Sequence, residues 1–294
     1  MKLDKIVSLA NKNSEIRFLA MVRSLRAVGC NLPVWVIPYD DSKFELPENC
    51  IWWEMNEVLD WLNANNAHKM MRKYQCLLTN NYHYADSDIV FLRNPEEALA
   101  DVSGFITSCG HWHNPQHTYI ASTLKFYQEA STTWQKNAFN AGQYACDEVM
   151  FTFETLKKTV ENPLYSDACL NYKTYDQVAL NLLVHLSKVP VTNLTLPPYN
   201  MQSTWAGDYT DENYQRYWID ESKKPYLIHW AGCKMGTGRP IDQLSVNYLT
   251  DNERLEWDRK LNSVKKTGGY KKFRRKLSLL KQALHAFKNI YNQQ

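Results

Sequence analysis

Two carboxylates, Asp86 and Asp88, interrupt the apolar stretch His83–Pro95. Side chains at positions i and i+2 of a strand point to the same side, and two acids held there repel each other unless a cation lies between them. Carboxylate oxygens suit Mg²⁺ or Mn²⁺, which keep open positions for phosphate oxygens. The spacing therefore predicts a divalent-metal site that binds a diphosphate. The alternative is a pair of solvated acids at a strand end.

The stretch Ile228–Lys234 offers a second set of polar groups. His229 can give a ring nitrogen to a metal, and Gly232 allows a close backbone approach to an anion. Lys234 can reach phosphate oxygens as a point charge. Alone, this stretch is equally compatible with a buried histidine packed beside the next tryptophan. Together with the two carboxylates, we interpret it as half of a metal–diphosphate site.

Alternating apolar and amphipathic segments predict the elements that position these groups. Strands are predicted over 4–10, 33–39, 49–55, 83–92, 104–110 and 226–229, and helices over 15–28, 68–80, 121–134, 148–161 and 175–187. Gly29 is expected to end the first helix. Repeated strand–helix–strand units are typical of an α/β fold, a mostly parallel sheet with helices on both faces. Ligands bind outside the carboxyl ends of such strands, where Asp86 is predicted to lie.

The composition is that of a soluble globular protein, with 44% hydrophobic and 22% charged residues in a chain of 294. No run of about 18 apolar residues predicts a transmembrane helix, and the N-terminal segment predicts a strand rather than a signal peptide. The seven cysteines are scattered and form no CxxC pair. This pattern argues against a disulfide framework or a structural zinc and indicates a reducing, cytoplasmic compartment.

The charge is unevenly distributed along the chain. Residues 259–294 hold eleven of the 34 basic residues and no acid. Residues 1–258 therefore hold the other 23 basic residues and all 31 acidic residues. We therefore predict a body, 1–258, and a basic tail, 259–294. One apolar stripe of a C-terminal amphipathic helix runs through the tail, at Phe273, Leu277, Leu280, Leu284, Phe287 and Tyr291. Such a helix either lies on an anionic membrane or docks on the acidic body, and the acidic body argues against nucleic acid as a partner.

Four motifs, in this order, resemble those of GT-A-fold glycosyltransferases of the nucleotide-diphospho-sugar transferase superfamily. They are Tyr84–Asp88, Phe139–Gly142, Tyr175–Asn181 and His229-x-x-Gly232-x-Lys234. In motif style they are most similar to family 8, the glycogenin and lipopolysaccharide galactosyltransferase type. The resemblance spans roughly residues 4 to 240. It departs from the family in four places. Lys234 comes one residue early and no Pro-Trp follows it; Asp176-Gln177 is followed by valine rather than an acid; and the opening strand lacks the usual acidic contact to the nucleotide base.

The resemblance implies a GT-A (Rossmann-like) fold and transfer of a sugar from a nucleotide-diphosphate sugar, with UDP favoured. The acceptor would be a saccharide or a lipid-linked sugar in surface polysaccharide biosynthesis, at the cytoplasmic side or the inner face of the membrane. Asp86, Asp88 and His229 would hold Mn²⁺ or Mg²⁺. The implied donor contacts are Ala10, Asn11, Arg72 or failing that Lys69, Asp86, Ser87, Asn140, Ala141, Gly142, Gly232 and Lys234.

Asp176 and Gln177 are expected around the sugar and the acceptor. Family 8 implies retention of the anomeric configuration; inversion would require a base such as Asp147 or Asp176, and Glu148, like Asp147, is a candidate for acid–base work. The loop His111–Asn114, with His117, is polar and aromatic. It is interpreted first as a plain surface loop, with acceptor binding and a metal cluster as the alternatives.

Two other functions stay open at this point. One is a nucleotidyltransferase that makes nucleotide-sugars, although no Gly-rich phosphate loop follows the first strand. The other is a non-catalytic protein that binds a sugar or nucleotide. The presence of both acids, the histidine and the lysine argues against that second alternative.

Overall fold

A computed structural model describes residues 1–171, 175–233, 235–236 and 238–262. Lys234 and the apolar stripe of the predicted tail helix lie outside the described residues. Met1–Tyr248 forms one compact unit, and a second unit begins at Leu249, in which residues 251–262 are helical. The predicted division at residue 258 stays a prediction. Within the described residues, no helix is long and apolar enough to cross a membrane.

The first strand and the helix after it form as their sequences predict. β1 (Lys5–Ala10) is buried at every position, as expected of a central strand covered on both faces. α1 (Glu15–Ala27) follows it and ends just before Gly29. Gly29 has a φ of 84°, a left-handed conformation that glycine adopts without steric cost and that commonly terminates helices.

The other elements follow in chain order. The strands are β2 (Val34–Pro38), β3 (Cys50–Trp52), β4 (Tyr82–Ala85), β5 (Ile89–Phe91), β6 (Phe105–Thr107), β7 (Gln143–Cys146), β8 (Val191–Asn193) and β9 (Leu227–His229). The α-helices are α2 (Asn56–Ala64), α3 (Pro95–Ala98), α4 (Ala121–Ala130), α5 (Phe153–Val160), α6 (Ser166–Cys169), α7 (Tyr175–Ser187) and α8 (Gln243–Val246). Short 3₁₀ helices cover Lys12–Ser14, Lys69–Leu78, Trp134–Asn137, Ala206–Asp208, Tyr214–Trp218 and Pro240–Asp242.

A seven-stranded sheet has the strand order β3-β2-β1-β4-β7-β6-β8. Its pairs are parallel except at β7, which runs antiparallel to β4 and β6. Alternate residues of β1 belong to two different buried hydrophobic clusters. Val7 and Leu9 belong to the cluster that includes α7, whereas Ile6 and Ala10 belong to the cluster that includes α1. The sheet is therefore covered on both faces, which confirms the predicted α/β architecture.

The apolar stretch after His83 differs from the prediction of one continuous strand. β4 leaves the large sheet at Ala85, and β5 pairs instead with β9 in a separate antiparallel ribbon. The two acids consequently lie in the turn between two strands. The predicted helix over 68–80 is also different, because Lys69–Leu78 is a 3₁₀ helix with a period of three residues.

Candidate active site

The two acids are fixed by backbone hydrogen bonds to distant segments. The N–H of Asp86 donates to the carbonyl of Gly142 at 2.8 Å. The carbonyl of Asp88 accepts from the N–H of Trp230 at 3.0 Å. In the β5–β9 ribbon, the residue after Asp88 lies opposite His229. The fold therefore brings the first and last sequence motifs together at the carboxyl end of β4.

Asp86, Asp88 and His229 form a cluster whose ligand atoms all lie within 4.8 Å of one another. The Nε2 atom of His229 is 3.3 Å from Oδ1 of Asp88 and 3.9 Å from Oδ2 of Asp86. Two carboxylate oxygens and one imidazole nitrogen are a donor set that Mn²⁺ and Mg²⁺ accept. These residues, the predicted metal ligands, fit a divalent cation.

The second oxygen of each acid is already engaged by protein groups. Oδ1 of Asp86 accepts from the hydroxyl of Tyr84 at 2.6 Å and lies 3.1 Å from Nζ of Lys73. Oδ2 of Asp88 lies 3.5 Å from the guanidinium of Arg17. Each carboxylate is thus oriented, and one oxygen of each faces His229.

The two acids differ in their electrostatic surroundings. Burial raises the pKa of Asp86 above its usual value, although the charge of Lys73 acts in the opposite direction. Burial acts in the same sense on Asp88, but the hydrogen bond and charge of His229, together with Arg17, outweigh it and lower the pKa of Asp88 to about 2. Asp88 is therefore ionised at neutral pH and available as a cation ligand.

Gly142 provides the space that this cluster needs. A Cβ at this position would lie 2.6 Å from Oδ2 of Asp86 and 2.7 Å from Nε2 of His229, and closer still to Cε1 of that ring. Its N–H donates to the side-chain oxygen of Asn140 at 2.9 Å. The Asn-Ala-Gly turn is therefore in direct contact with two of the three candidate metal ligands.

Lys73 is a site residue that sequence reasoning missed. It is fully buried, and its Nζ lies 2.6 Å from Oδ2 of Asp176, 3.1 Å from Oδ1 of Asp86 and 3.1 Å from the carbonyl of Ala141. Burial lowers the pKa of a lysine, but the two carboxylates outweigh this and raise the pKa of Lys73. On this 3₁₀ helix Met71 and every residue from Lys73 to Leu77 are buried, so the lysine lies inside a buried segment.

The two cations expected to contact the donor both lie against the end of β2. Arg72 donates to the carbonyl of Pro38 at 2.6 Å, and Lys69 lies over the ring of Tyr39 at 5.9 Å. Neither side chain contacts the acid cluster. On the 3₁₀ helix it is Lys73, the residue next to Arg72, that points to Asp86.

Asp176 contacts the site through Lys73, and Gln177 contacts the Asn-Ala-Gly turn. Asp176 is buried against Lys73, so its carboxylate is already paired with a cation. The amide of Gln177 accepts from the N–H of Ala141 at 2.8 Å and donates to the carbonyl of Phe139 at 2.7 Å. The contacts of Gln177 position the Asn-Ala-Gly turn. The ion pair with Lys73 leaves Asp176 poorly placed as a base.

Asp147 is not brought to this edge of the sheet. β7 runs antiparallel to β4, with Gln143 opposite Ala85 and Cys146 opposite Tyr82. Asp147 follows the last of these pairs and lies at the amino end of β4, where it accepts from the N–H of Gly104 at 2.9 Å. Neither Asp147 nor its neighbour Glu148 is therefore in position for chemistry at the cluster.

The residues of the acid cluster line two clefts: Asp86 and Asp88 line one, and His229 lines the other. The first, which we call the α1 cleft, has a volume of about 390 Å³ and is lined by Ala10, Asn11, Arg17, Tyr39, Asp86, Ser87 and Asp88, among others. The second, the Trp205 cleft, has a volume of about 410 Å³ and is lined by His111, Trp112, Asn140, Gln177, Trp205, His229 and Gly232, among others. Each volume suits a small ligand.

Asp40, an acid just after the neighbouring strand β2, lies beside Asn11, which lines the α1 cleft. Asn11 caps the 3₁₀ turn that follows β1, and its side-chain amide donates to Oδ2 of Asp40 at 2.9 Å. Burial opposes ionisation of Asp40, but hydrogen bonds from Ser42 and Asn11 outweigh it and lower the pKa of Asp40. An acidic group is thus present after β2, next to a residue of the cleft wall.

The loop around His111 is part of the Trp205 cleft rather than a plain surface loop. Most residues from Cys109 to Thr118 line this cleft, together with Trp205. Among the described residues, the only cluster with metal-ligand spacing is that of Asp86, Asp88 and His229. Of the three interpretations of this loop, the geometry therefore favours ligand binding.

The sheet order, with a carboxylate cluster at the carboxyl end of β4, defines a GT-A-like α/β fold. No family model and no curated protein matches the sequence. Among solved structures, the bifunctional glycosyltransferase WbbM is similar with a TM-score of 0.51 at 14% identity over 85% of this chain. The chain spans half of WbbM. At this identity the likeness shows a shared fold.

Two further solved structures have lower scores. The galactosyltransferase LgtC, in complex with donor and acceptor sugar analogs, has a TM-score of 0.47 at 16% identity, over 84% of this chain and 96% of its own. The glycosyltransferase GlyE of Streptococcus pneumoniae TIGR4 has a TM-score of 0.47 at 12% identity, over 91% of this chain and 64% of its own.

Proposed function

We propose that this chain is a metal-dependent glycosyltransferase that transfers a sugar from a nucleotide-diphosphate sugar, with UDP favoured, to a saccharide or lipid-linked acceptor. The observation that carries the proposal is the position of Asp86, Asp88 and His229 where two ligand-sized clefts meet. The fold shared with WbbM, itself a glycosyltransferase, supports the same class. The family 8 motif pattern supports it independently.

The nucleotide is proposed to bind in the α1 cleft. Ala10, Asn11 and Ser87 lie along its wall, and Arg17 offers a cation beside Asp88. Mn²⁺ or Mg²⁺ held by the acid cluster would act as a Lewis acid that neutralises the leaving diphosphate. Lys234 is proposed to contact the same diphosphate.

The sugar and acceptor are proposed to bind on the side of the Trp205 cleft. Asn140 and Gly232 line this cleft beside His229, so a sugar attached to the diphosphate would extend into it. Trp112 and Trp205 offer aromatic surfaces of the kind on which the apolar faces of sugar rings pack. We place the reaction in surface polysaccharide biosynthesis, on the cytoplasmic side, with the basic tail at the membrane surface.

A donor panel tests the proposal. UDP-glucose, UDP-galactose, UDP-N-acetylglucosamine, GDP-mannose and dTDP-glucose are each incubated with the full chain, with and without Mn²⁺, and nucleotide release is measured with water as acceptor. We expect release from one nucleotide class only, dependent on metal, and reduced about 100-fold or more in Asp88→Asn. Asp60→Asn, at an exposed acid of α2, is the control and should retain wild-type release. Release that needs no metal and survives Asp88→Asn would exclude the proposed site.

A further inference from the structure

A third cleft, which we call the Trp134 cleft, shares part of its wall with the Trp205 cleft. Thr118 and Ala138 line both spaces. The Trp134 cleft has a volume of about 260 Å³, and it is lined by residues of α4, the 3₁₀ turn Trp134–Asn137, α7 and β8. The proposed function has not used this space. Because the two clefts adjoin, a ligand that outgrows the Trp205 cleft can extend into the Trp134 cleft.

Helix α7 borders the two clefts with successive turns. Gln177 lines the Trp205 cleft, and Asn181 lines the Trp134 cleft. Four residues of an α-helix rise about 6 Å along its axis, and the side-chain amide of Asn181 donates to the carbonyl of Gln177 at 2.8 Å. The same Asn181 side chain accepts from the N–H of Phe139 at 3.0 Å and donates to its carbonyl at 2.9 Å. The helix therefore fixes the backbone that separates the clefts.

The backbone from Ala138 to Gly142 connects the shared wall to the acid cluster. The N–H of Ala141 donates to the side chain of Gln177 at 2.8 Å. A Cβ at Gly142 would lie 2.6 Å from Oδ2 of Asp86, so this end of the segment is in contact with the cluster. Four residues of extended chain span at most about 14 Å, so the Cα atoms of Ala138 and Gly142 are no further apart than that. A short oligosaccharide covers such a distance.

The lining of the Trp134 cleft combines aromatic surface with neutral and basic polar groups. The rings of Tyr127 and Trp134 are stacked, with centroids 5.1 Å apart and an angle of 20°, and both residues line the cleft. Ser131, Asn137 and Lys188 belong to the same lining and are exposed. The described lining contains no Asp or Glu. Aromatic surface beside hydrogen-bonding groups suits a sugar ring, which has an apolar C–H face and a hydroxyl edge.

We propose that the acceptor is an oligosaccharide of at least two sugars, whose reacting ring lies in the Trp205 cleft and whose following rings reach Trp134; this inference rests on the proposed function. The Trp134 cleft is smaller than the range of about 300–1,000 Å³ that is typical of clefts for drug-sized ligands. It therefore suits one ring rather than the long hydrocarbon tail of a lipid carrier. Trp134 binds a part of the acceptor remote from the reacting hydroxyl, so it determines specificity for acceptor length.

The test uses the nucleotide-sugar that releases nucleotide in the donor panel, with three series of acceptors of increasing length. The series are glucose, maltose and maltotriose; glucose, cellobiose and cellotriose; and N-acetylglucosamine, chitobiose and chitotriose. The quantity measured is the ratio of kcat/KM for the trisaccharide to kcat/KM for the monosaccharide. This ratio does not depend on how much of a variant is folded. For the wild-type chain we expect a ratio of about 10 or more in one series.

Three variants separate the cleft from the rest of the chain. Trp134→Ala removes the aromatic surface and should lower the ratio by about 10-fold. Ala130→Trp, at an exposed residue of the cleft lining, fills the space without removing a core contact and should lower the ratio equally. Gln128→Trp adds the same side chain at an exposed position of α4 outside the lining and should keep the wild-type ratio. Saturation-transfer NMR of the trisaccharide should show contacts from its inner rings in the wild-type chain and lose them in Ala130→Trp.

The outcomes distinguish this inference from the proposed function. Wild-type turnover with equal kcat/KM for the monosaccharide and the trisaccharide in every series overturns the inference alone. So does a ratio that stays unchanged in both Trp134→Ala and Ala130→Trp. Octyl glucoside preferred to maltotriose, with the preference lost in Ala130→Trp, would assign the cleft to a lipid tail and overturn it likewise. A wild-type chain that neither binds nor cleaves any donor overturns the proposed function, whereas saccharide binding lost in Ala130→Trp would still support the cleft.

Discussion

Gly142→Ala is expected to abolish Mn²⁺-dependent turnover while the chain still folds. The added Cβ would lie 2.6 Å from Oδ2 of Asp86 and 2.7 Å from Nε2 of His229, so both candidate ligands must move. The backbone at Gly142 is not left-handed, so alanine introduces no conformational strain of its own. A displacement of about 1 Å costs about 100-fold in rate, and we expect at least that loss. Nucleotide release from the preferred donor measures it.

The steric origin of this effect can be separated from general destabilisation. Gly142→Ala alone should lower the free energy of unfolding by about 1–3 kcal/mol, as overpacking does. Adding His229→Ala removes the ring that the new methyl meets, so the double variant should be less destabilised than the sum of the single variants. Urea unfolding of all four chains measures the coupling. Strict additivity, or normal Mn²⁺ binding in Gly142→Ala, would mean that the glycine does not shape the site.

Lys73→Met is expected to produce the largest loss of stability at a single side chain of the site. The substitution leaves the carboxylates of Asp86 and Asp176 buried near each other without their shared cation. Removing one partner from a buried ion pair costs about 3–5 kcal/mol, and we expect a decrease of that size in the free energy of unfolding at pH 7. Lys69→Met, at an exposed lysine on the same 3₁₀ helix, should change it by less than about 0.5 kcal/mol.

The pH dependence gives this prediction a second readout. The pKa of Lys73 is higher in the folded than in the unfolded chain, so its stabilisation is complete below pH 10.5 and is lost as the pH rises through the folded pKa. Lys73→Met should lack that alkaline loss. Toward a pH of about 4 the unpaired carboxylates take up protons, so the gap between variant and wild type should narrow. A gap that stays constant from acidic to alkaline pH would argue against a charge network.

Local sequence patterns predicted the parts of the fold that depend on neighbouring residues. Hydrophobic periodicity predicted the buried strand β1, and a glycine predicted the end of α1 at Gly29. The spacing of two acids predicted the carboxylate pair after β4. The acid cluster could be predicted because its ligands lie in two short motifs. These two motifs come together because β9 ends near the end of β4.

The features that escaped prediction depend on pairing between distant segments. The break after Ala85 arises because β5 joins β9, about 140 residues further along the chain, instead of continuing in the large sheet. Asp147 lies far from the cluster because β7 is antiparallel, a direction that no local pattern encodes. Lys73 was missed because its burial depends on pairing with Asp86 and Asp176, which lie in other segments of the chain.

The measurement that tests the central claim most directly is calorimetric titration of the full chain with UDP, GDP, CDP and dTDP, each with and without Mn²⁺. The account predicts that one nucleotide binds and that its binding requires Mn²⁺. It further predicts that Asp88→Asn loses this metal-dependent binding while Asp60→Asn retains it. Binding of the nucleotide that is equally tight without metal, or unchanged in Asp88→Asn, would contradict the assignment of Asp86, Asp88 and His229 as the metal–diphosphate site.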